Sequence, residues 1–355
     1  MMKKFFLTFM LFSTQVISIE IGDTDFSVSG FGNTSVTTSN NKNPLIINRD
    51  ITDETCFNCD TTLGLQLDYT PDNWFRFSAQ TVKPPQNPFS EVDIEWLYIA
   101  ARLSNKTELR AGRLRLPVFM ASPYYYVGNS YLWARPPTEV YDSLFGITSF
   151  DGVELLWNES LSDNLVLSIQ PFLGYRDTSY ENGLLETKIR ANNVVGLNLG
   201  LSSYSYKINF SYVYTNANLK QISQINVLNS PESKIILNLF SLGFEYEFEK
   251  YKIQTEFNID SEFFNWYTTL SYNMEKLTPY LTYAESHQLR KSNSVTVGSR
   301  YDILPELSIN LEYEYFKNYG GDYIFFGQYS YPQSFLPEKS SVDASLFTVM
   351  LNFSF

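Results

Sequence analysis

The chain has 355 residues and a formal net charge of −12 at pH 7, and 17% of its residues are aromatic. The negative charge argues against nucleic acid as a partner, because phosphate binding needs a basic stripe that the sequence lacks. No run of about 20 apolar residues offers a membrane-spanning helix. Abundant Tyr and Phe at moderate hydrophobicity favour β structure, because membrane barrels carry aromatic residues at both rims.

The first 18 residues have the pattern of a secretory signal peptide. Lys3 and Lys4 precede a short apolar run, and the segment ends at a small-residue cleavage site. We therefore predict that the protein is exported, with residues 1–18 as the signal peptide and residues 19–355 as one mature domain.

After residue 60, apolar and polar residues alternate with a period of two almost everywhere. Tyr251, Ile253, Phe257 and Ile259, for example, are separated by polar residues. Such a strand has one face for an apolar phase and one face for water. The pattern predicts sixteen strands, while counts of fourteen and eighteen stay open. The predicted strands lie near residues 26–38, 61–70, 74–83, 92–103, 108–116, 150–158, 164–175, 193–203, 205–215, 237–248, 251–260, 265–274, 278–286, 294–303, 307–316 and 342–355.

The predicted joins between strands fall into two classes. Even-numbered strands are followed by tight turns, such as 71–73 and 305–306, whereas most odd-numbered strands are followed by longer loops. Soluble sandwiches also alternate, but they have no reason to sort their joins in this way. Outer-membrane barrels do, because their periplasmic turns are short and their external loops are long. The sequence therefore predicts an all-β fold, a transmembrane antiparallel β-barrel.

The last strand alternates from Val349 to the aromatic Phe355. This ending resembles the terminal strand that the barrel-assembly machinery recognises in outer-membrane barrels. Together with the signal peptide, the sixteen strands and a long third loop, it resembles the bacterial porin superfamily. The resemblance implies a water-filled passive channel, not an enzyme, that needs no cofactor. It also implies an outer-membrane location in contact with lipid and lipopolysaccharide, an inward-folded third loop and often a homotrimer.

The third loop, from Pro117 to Ser149, is the longest stretch without predicted structure. A loop of this length is usually functional or disordered. Its many aromatic residues argue against disorder, because disordered segments contain few of them. We expect the loop to pack inside the mouth of the barrel.

The alternation breaks just before this loop. Strict alternation would place Arg110 in the lumen but Arg113 and Arg115 against lipid, at about 2 to 4 kcal/mol each near the midplane. One extra residue at Ala111 and Gly112, a β-bulge, would turn both arginines inward. We call Arg110, Arg113 and Arg115 the arginine ladder.

We predict that the arginine ladder faces the acidic Glu139 and Asp142 of the third loop, with Arg135 nearby, and that these residues form the pore constriction. Opposed charges across a constriction orient dipolar solutes and select ions. In the alternative, the arginines only pair with carboxylates of the barrel wall or lie at a subunit interface.

The alternation also assigns many charged residues to the lumen face. The acidic ones outnumber the basic ones, which favours cations, but an arginine cluster at the narrowest point would oppose this preference. We therefore expect at most a weak ionic preference. The acidic members are Asp68, Asp93, Glu95, Glu154, Glu245, Glu247, Glu256, Asp260, Asp302, Glu312 and Glu314, and the basic ones are Arg76, Lys207, Lys252 and Arg300.

Cys56 and Cys59 lie in the first external loop. A CxxC pair is also found in redox centres and in metal sites, but neither a thioredoxin-like βαβ context nor further ligands accompany this one. We predict a local disulfide, which suits an exported protein, and no metal site.

His287 is the single histidine of the chain. It follows Ser286, and a His with a Ser would suit an outer-membrane hydrolase, but neighbouring strand residues point to opposite faces. A solvated loop histidine is the simpler interpretation. Three function classes therefore stay open, with a porin favoured over a surface receptor or adhesin and over a hydrolase that uses His287.

Overall fold

A computed structural model describes residues 19–20, 25–42, 44, 46, 49, 51–85, 91–144, 147–182, 185–223, 233–288, 291–320, 323–326, 329–332 and 342–355. Sixteen antiparallel strands form a closed barrel, because each pairs with its neighbours in the chain and the last pairs with the first. They are β1 (Phe26–Ser39), β2 (Thr62–Tyr69), β3 (Phe75–Lys83), β4 (Asp93–Ser104), β5 (Thr107–Arg115), β6 (Ser149–Ser162), β7 (Leu165–Asn182), β8 (Leu185–Ser202), β9 (Tyr206–Ser223), β10 (Ser233–Phe248), β11 (Tyr251–Ile259), β12 (Phe263–Tyr272), β13 (Leu277–Gln288), β14 (Lys291–Leu304), β15 (Leu307–Gly320) and β16 (Val342–Ser354).

The sixteen predicted strands are all present, and the predicted transmembrane-type antiparallel barrel is confirmed. A two-residue strand, Ile19–Glu20, pairs with β1. A separate hairpin joins Tyr323–Phe326 to Tyr329–Pro332. The predicted signal peptide, residues 1–18, lies outside the described residues.

The strands have an inverted burial pattern. On β11, Tyr251, Ile253 and Ile259 are exposed, whereas Glu256 and Asn258 are completely buried. A protein surrounded by water buries its apolar side chains instead, so this inversion is the pattern of a barrel surrounded by lipid. We call the two sides of the strands the apolar face and the polar face.

Four consecutive strands, β7 to β10, are longer than the sequence predicts. Residues 176–182 and 185–192 continue β7 and β8, where a loop was expected, and β9 and β10 have 18 and 16 residues. A strand of about 9 to 11 residues crosses a membrane. Beyond the membrane a strand no longer needs apolar residues at every second position, so alternation does not reveal the extension.

The two classes of joins are only partly confirmed. The joins after β1, β3, β5, β9 and β15 are long, but β7, β11 and β13 are followed by two or three residues before the next strand begins. The long strands explain the first of these cases, because β7 and β8 use residues that the sequence assigns to their loop.

The join between β5 and β6 contains one short helix, α1 (Thr138–Tyr141), and three 3-10 turns at Ser122–Tyr124, Gly128–Ser130 and Asp142–Leu144. We call residues 116–148 the loop segment. No helix within the described part of the chain is long and apolar enough to cross a membrane.

Candidate functional site

The loop segment begins against β8, β9 and β11. Asn198 Nδ2 and Ser211 Oγ both donate to the carbonyl oxygen of Pro117, at 3.1 and 3.0 Å. The backbone N–H of Met120 donates to Glu256 Oε1 at 2.7 Å. These wall residues lie on the polar face, so the segment covers that face from its first turn onward.

The middle of the loop segment contacts the barrel wall farther around the ring. The indole N–H of Trp133 donates to the hydroxyls of Thr269 and Thr282 at 3.1 and 3.0 Å. The next backbone N–H, of Ala134, donates to Glu312 Oε1 at 2.7 Å. Trp133 is only 2% exposed, and a buried indole N–H with a partner is the favourable arrangement for this side chain.

Backbone carbonyls of the same stretch are satisfied by the wall as well. Arg300 on β14 donates to the carbonyl oxygens of Tyr131 at 2.6 Å and Asn129 at 3.0 Å. Asn310 on β15 donates to the carbonyl oxygen of Leu132 at 2.6 Å. The irregular backbone of the loop segment is stable here because wall side chains replace the hydrogen bonds of regular structure.

An apolar cluster supports these hydrogen bonds. Aromatic and aliphatic side chains of the loop segment pack with buried residues of the strands from β5 to β10 and of β12 and β13. Each fully buried large side chain of this kind contributes about 1.5 to 3 kcal/mol. The main members are Leu114, Leu116, Val118, Phe119, Trp133, Val140, Tyr141, Phe150, Phe172, Leu239, Phe263, Tyr267 and Tyr280.

Arg135 joins the loop segment to the first external loop. Its Nε lies 3.0 Å from Asp60 Oδ1, and its Nη2 lies 2.7 Å from the hydroxyl of Thr348 on β16. Arg49 contacts the same Asp60 oxygen at 2.9 Å. Burial raises the pKa of Asp60, but the charges of Arg135 and Arg49 outweigh it and hold the pKa below its usual value. The carboxylate therefore stays ionised at neutral pH.

Cys56 and Cys59 form a disulfide, as the sequence predicts, directly before Asp60. The backbone of Cys56 pairs with Thr37 of β1 in both directions, at 2.8 and 2.9 Å. The residues of this turn are therefore fixed against the barrel wall.

The ion pairs of the arginine ladder all go to carboxylates of the barrel strands. Arg110 contacts Glu108 at 2.6 Å and Glu154 at 3.1 Å. Arg113 contacts Asp151 at 3.0 Å and Asp93 at 3.8 Å, and Arg115 contacts Glu95 at 2.8 Å. These pairs correspond to the alternative that the sequence left open, and the role of the ladder in a constriction stays a prediction.

The predicted β-bulge at Ala111 and Gly112 is wrong. Both residues pair with β4 and β6 without a shift of register. Gly112 instead has a φ of 135°, which glycine adopts readily because it has no Cβ. A Cβ at this position would collide with the carbonyl oxygen of Leu97. The register therefore continues unbroken through Gly112, and Leu114 is buried in the apolar cluster.

Beyond Gly112, the ladder reaches the loop segment. The guanidinium of Arg115 lies 5.3 Å from the ring centre of Tyr126 and 5.5 Å from that of Trp96. Such distances allow cation–π attraction. Arg115 thus contacts the aromatic part of the loop segment.

The two predicted acidic residues of the loop are buried. Glu139 is 2% exposed, and neither of its carboxylate oxygens has a hydrogen-bond partner among the described residues. Asp142 interacts electrostatically with Arg49 of the first external loop. Their predicted position across a constriction from the ladder stays a prediction.

On the polar face near β3 to β5, charged side chains remain partly accessible. The side chains of Arg76, Glu108 and Arg110 are 35%, 24% and 24% exposed. Arg76 Nη2 contacts Glu108 Oε1 at 3.0 Å, and both arginines lie over the ring of Tyr98. Opposite charges therefore alternate along this wall.

The other predicted wall residues lie in different surroundings. Glu95, Glu154 and Glu312 are buried, whereas Glu314 is half-buried and Asp93 is exposed. Arg300 is half-buried beneath the loop segment.

His287 and Ser286 are adjacent residues of β13, and their side chains lie on opposite faces of the strand. Ser286 is buried and donates to Asn265 Oδ1 at 2.6 Å. The ring of His287 stacks on Phe264 and lies 3.1 Å from Glu285 Oε2.

Sequence reasoning missed Asp60, Arg49 and Tyr98. Asp60 carries a weak signal, because an acidic residue directly after a CxxC pair is presented by a constrained turn. Arg49 and Tyr98 have no such sequence signal, since nothing in a single sequence shows which loop or strand residue they will contact.

A closed sixteen-stranded barrel with an apolar exterior, whose polar face is covered by the join after β5, has the fold of bacterial outer-membrane porins. Neither a protein-family model nor a curated protein sequence matches the chain.

The fold assignment comes from solved structures. The trimer form of OmpT, an outer membrane protein of Vibrio cholerae, is 11% identical with a TM-score of 0.61, over 93% of this chain and 99% of that chain. The anion-selective porin from Comamonas acidovorans is 12% identical with a TM-score of 0.57, over 94% and 100%. The outer membrane channel DcaP of Acinetobacter baumannii is 10% identical with a TM-score of 0.53, over 94% and 97%.

Proposed function

We propose that the protein is a porin, a water-filled channel through which small polar or charged solutes diffuse passively across the bacterial outer membrane. The observation that carries this proposal is the accessibility of Arg76, Glu108 and Arg110 on the polar face of a closed barrel. Charged groups that stay accessible there need water beside them, because an unsolvated charge is too costly. This accessibility supports an open route along β3, β4 and β5.

The loop segment narrows this route from the other side. Its hydrogen bonds to the polar face extend over β8, β9 and the strands from β11 to β16. In a closed barrel with lipid outside, the polar face is the inner face, so these contacts support a loop folded into the barrel. Tyr126 beside Arg115 marks its edge toward β5.

The charges along the route are nearly balanced. Arg76 and Arg110 are paired with Glu108 and Glu154, so the wall presents alternating charges rather than one sign. A paired wall attracts dipolar solutes without strongly favouring cations or anions. This pairing supports a weak ionic preference.

The remaining parts of the proposal concern the membrane and assembly. Residues 1–18 direct export, and the apolar face contacts lipid and lipopolysaccharide. Phe355 pairs with Gly30 through two backbone hydrogen bonds, and its aromatic side chain forms the assembly signal. A homotrimer is supported by the trimer form of the similar Vibrio cholerae protein.

Single-channel recording of the refolded protein in planar bilayers tests this function. Stable conductance steps, with a reversal potential near zero under a salt gradient, are expected from a weakly selective channel. Silence across several preparations would favour a receptor or an adhesin. Hydrolysis of lipid or peptide that is lost in His287→Ala would favour an enzyme instead.

A further inference from the structure

The first external loop and the loop segment meet at a buried group of charges. We infer that Asp60 is a positioning residue: through Arg49 and Arg135 it holds the edge of the loop segment in place and so sets the width of the open route. The inference rests on the proposed channel function, since a width matters only if solutes pass.

The carboxylate of Asp60 accepts hydrogen bonds from four side chains. Arg49 and Arg135 donate to its Oδ1 at 2.9 and 3.0 Å, and Ser35 and Thr37 of β1 donate to its Oδ2 at 2.7 and 3.2 Å. Its side chain is 1% exposed. A buried carboxylate with this many charged and neutral donors is strongly held, because hydrogen bonds to charged groups are stronger than neutral ones.

Each of the two arginines transmits the position of Asp60 to the loop segment. Arg135 belongs to the segment and directly follows Ala134, whose N–H binds Glu312 on β15. Arg49 lies beside the side chain of Tyr125, which is also part of the segment, in a small cavity that Asp60 and Arg135 line as well. One carboxylate of the first external loop therefore holds two separate points of the loop segment.

The turn that presents Asp60 cannot easily move. Cys56 pairs with Thr37 on β1, the disulfide joins Cys56 to Cys59, and β2 begins at Thr62. Asp60 thus lies between two fixed points only a few residues apart. Its position is determined by the barrel wall rather than by a free loop.

The segment edge held by Asp60 reaches the wall beside the open route, where Tyr126 packs with Val82 on β3. Tyr125, which lies beside Arg49, precedes Tyr126, and the ring of Tyr126 lies 5.3 Å from the Arg115 guanidinium of β5. A shift of this edge changes its distance from β5. The width of the route therefore depends on a residue that belongs to a different loop.

The variant Asp60→Asn tests the inference, because it removes the charge and keeps the shape of the side chain. The matched control is Asp53→Asn, which removes the same charge from an exposed position of the same loop. Hydrogen–deuterium exchange is measured over residues 124–137, together with single-channel conductance. We expect exchange in Asp60→Asn to be at least about tenfold faster, which corresponds to losing one charged hydrogen bond, and more frequent conductance transitions.

The control should match the wild-type protein in both measurements. A wild-type channel whose Asp60→Asn variant shows unchanged exchange and unchanged conductance would overturn the inference. A silent wild-type protein would overturn the proposed function, whereas faster exchange in the variant would still support the holding role of Asp60.

Arg135→Lys covers the case in which Asp60→Asn does not fold, as judged by heat-modifiable migration on gels. It keeps the charge but removes the planar fork that contacts Asp60 and Thr348 together. Faster exchange around residue 135 is expected here too. Exchange identical to that of the wild-type protein in a folded Arg135→Lys variant would contradict the inference.

Discussion

Arg110 Nη1 lies 3.1 Å from Glu154 Oε1, so an ion pair joins β5 to β6 on the polar face of the barrel. The Nε of the same guanidinium lies 2.6 Å from Glu108. Two carboxylates therefore share one cation beside the open route. The local charge depends on Arg110 more than on any single carboxylate of this group.

Replacing Arg110 with Ala should make the channel more selective for cations, because Glu108 loses one of its two cationic partners and Glu154 loses its own. We expect the reversal potential under a salt gradient to move toward the cation equilibrium value. The matched control is Lys106→Ala, which removes the same charge from an exposed position at the β4–β5 turn. An equal shift in both variants would show that net charge, not the pairing along the route, controls selectivity.

The barrel could be predicted from the sequence because lipid outside and water inside impose a period of two on every strand. The extension of β7 to β10 could not be predicted. Residues 176–182 extend beyond the length that crosses a membrane, so they need no apolar residue at every second position. The bulge expected at Gly112 was wrong for a related reason. The sequence suggested an added residue, whereas the strand register runs on unbroken and only the φ of Gly112 is unusual.

The wall charges of the site were predictable, whereas their partners were not. The pairing of Arg110 with Glu154 depends on the register of β5 against β6, which a single sequence does not contain. The contact between Arg135 and Asp60 joins residues 75 positions apart in the chain. Such contacts are set by how the loop segment packs on the wall, and that depends on the whole apolar cluster around Trp133.

The assignment of the two faces can be tested on β2. Leu65 lies exposed on the apolar face, and the next residue, Gln66, is half-buried on the polar face. Leu65→Arg should destabilise the barrel in liposomes and lower its free energy of unfolding by about 2 to 4 kcal/mol. Gln66→Arg introduces the same charge one residue later, beside Asp68, and should fold normally. Equal losses in both variants would contradict the assignment.

Glu256 should hold the start of the loop segment on the barrel wall. It accepts hydrogen bonds from the backbone of Met120 and from the hydroxyls of Tyr141 and Tyr267. Glu256→Gln replaces one acceptor oxygen by a donor, so we expect a loss of about 1 to 3 kcal/mol in unfolding free energy. Urea unfolding in lipid vesicles measures it. The exposed Glu262→Gln is the control, and an equal change there would argue against a specific role.

Acidic pH should release the contact between the first external loop and the loop segment. The pKa of Asp60 is lower in the folded protein than its ordinary value of 3.8. Its contribution to stability is therefore complete above that value and is lost as the pH falls through the folded pKa. The groups that face it are the guanidinium groups of Arg49 and Arg135. Conductance should thus be steady from pH 7 to pH 5 and become unsteady only below 3.8.

The variant Asp60→Asn separates this titration from others. Its channel should already be unsteady at neutral pH and should change little on acidification, because the group that titrates is gone. A wild-type transition between pH 5 and pH 7 would point to a different residue, since Asp60 remains ionised over that range. The same transition below 3.8 in Asp60→Asn would show that protonation of some other carboxylate releases the loop segment.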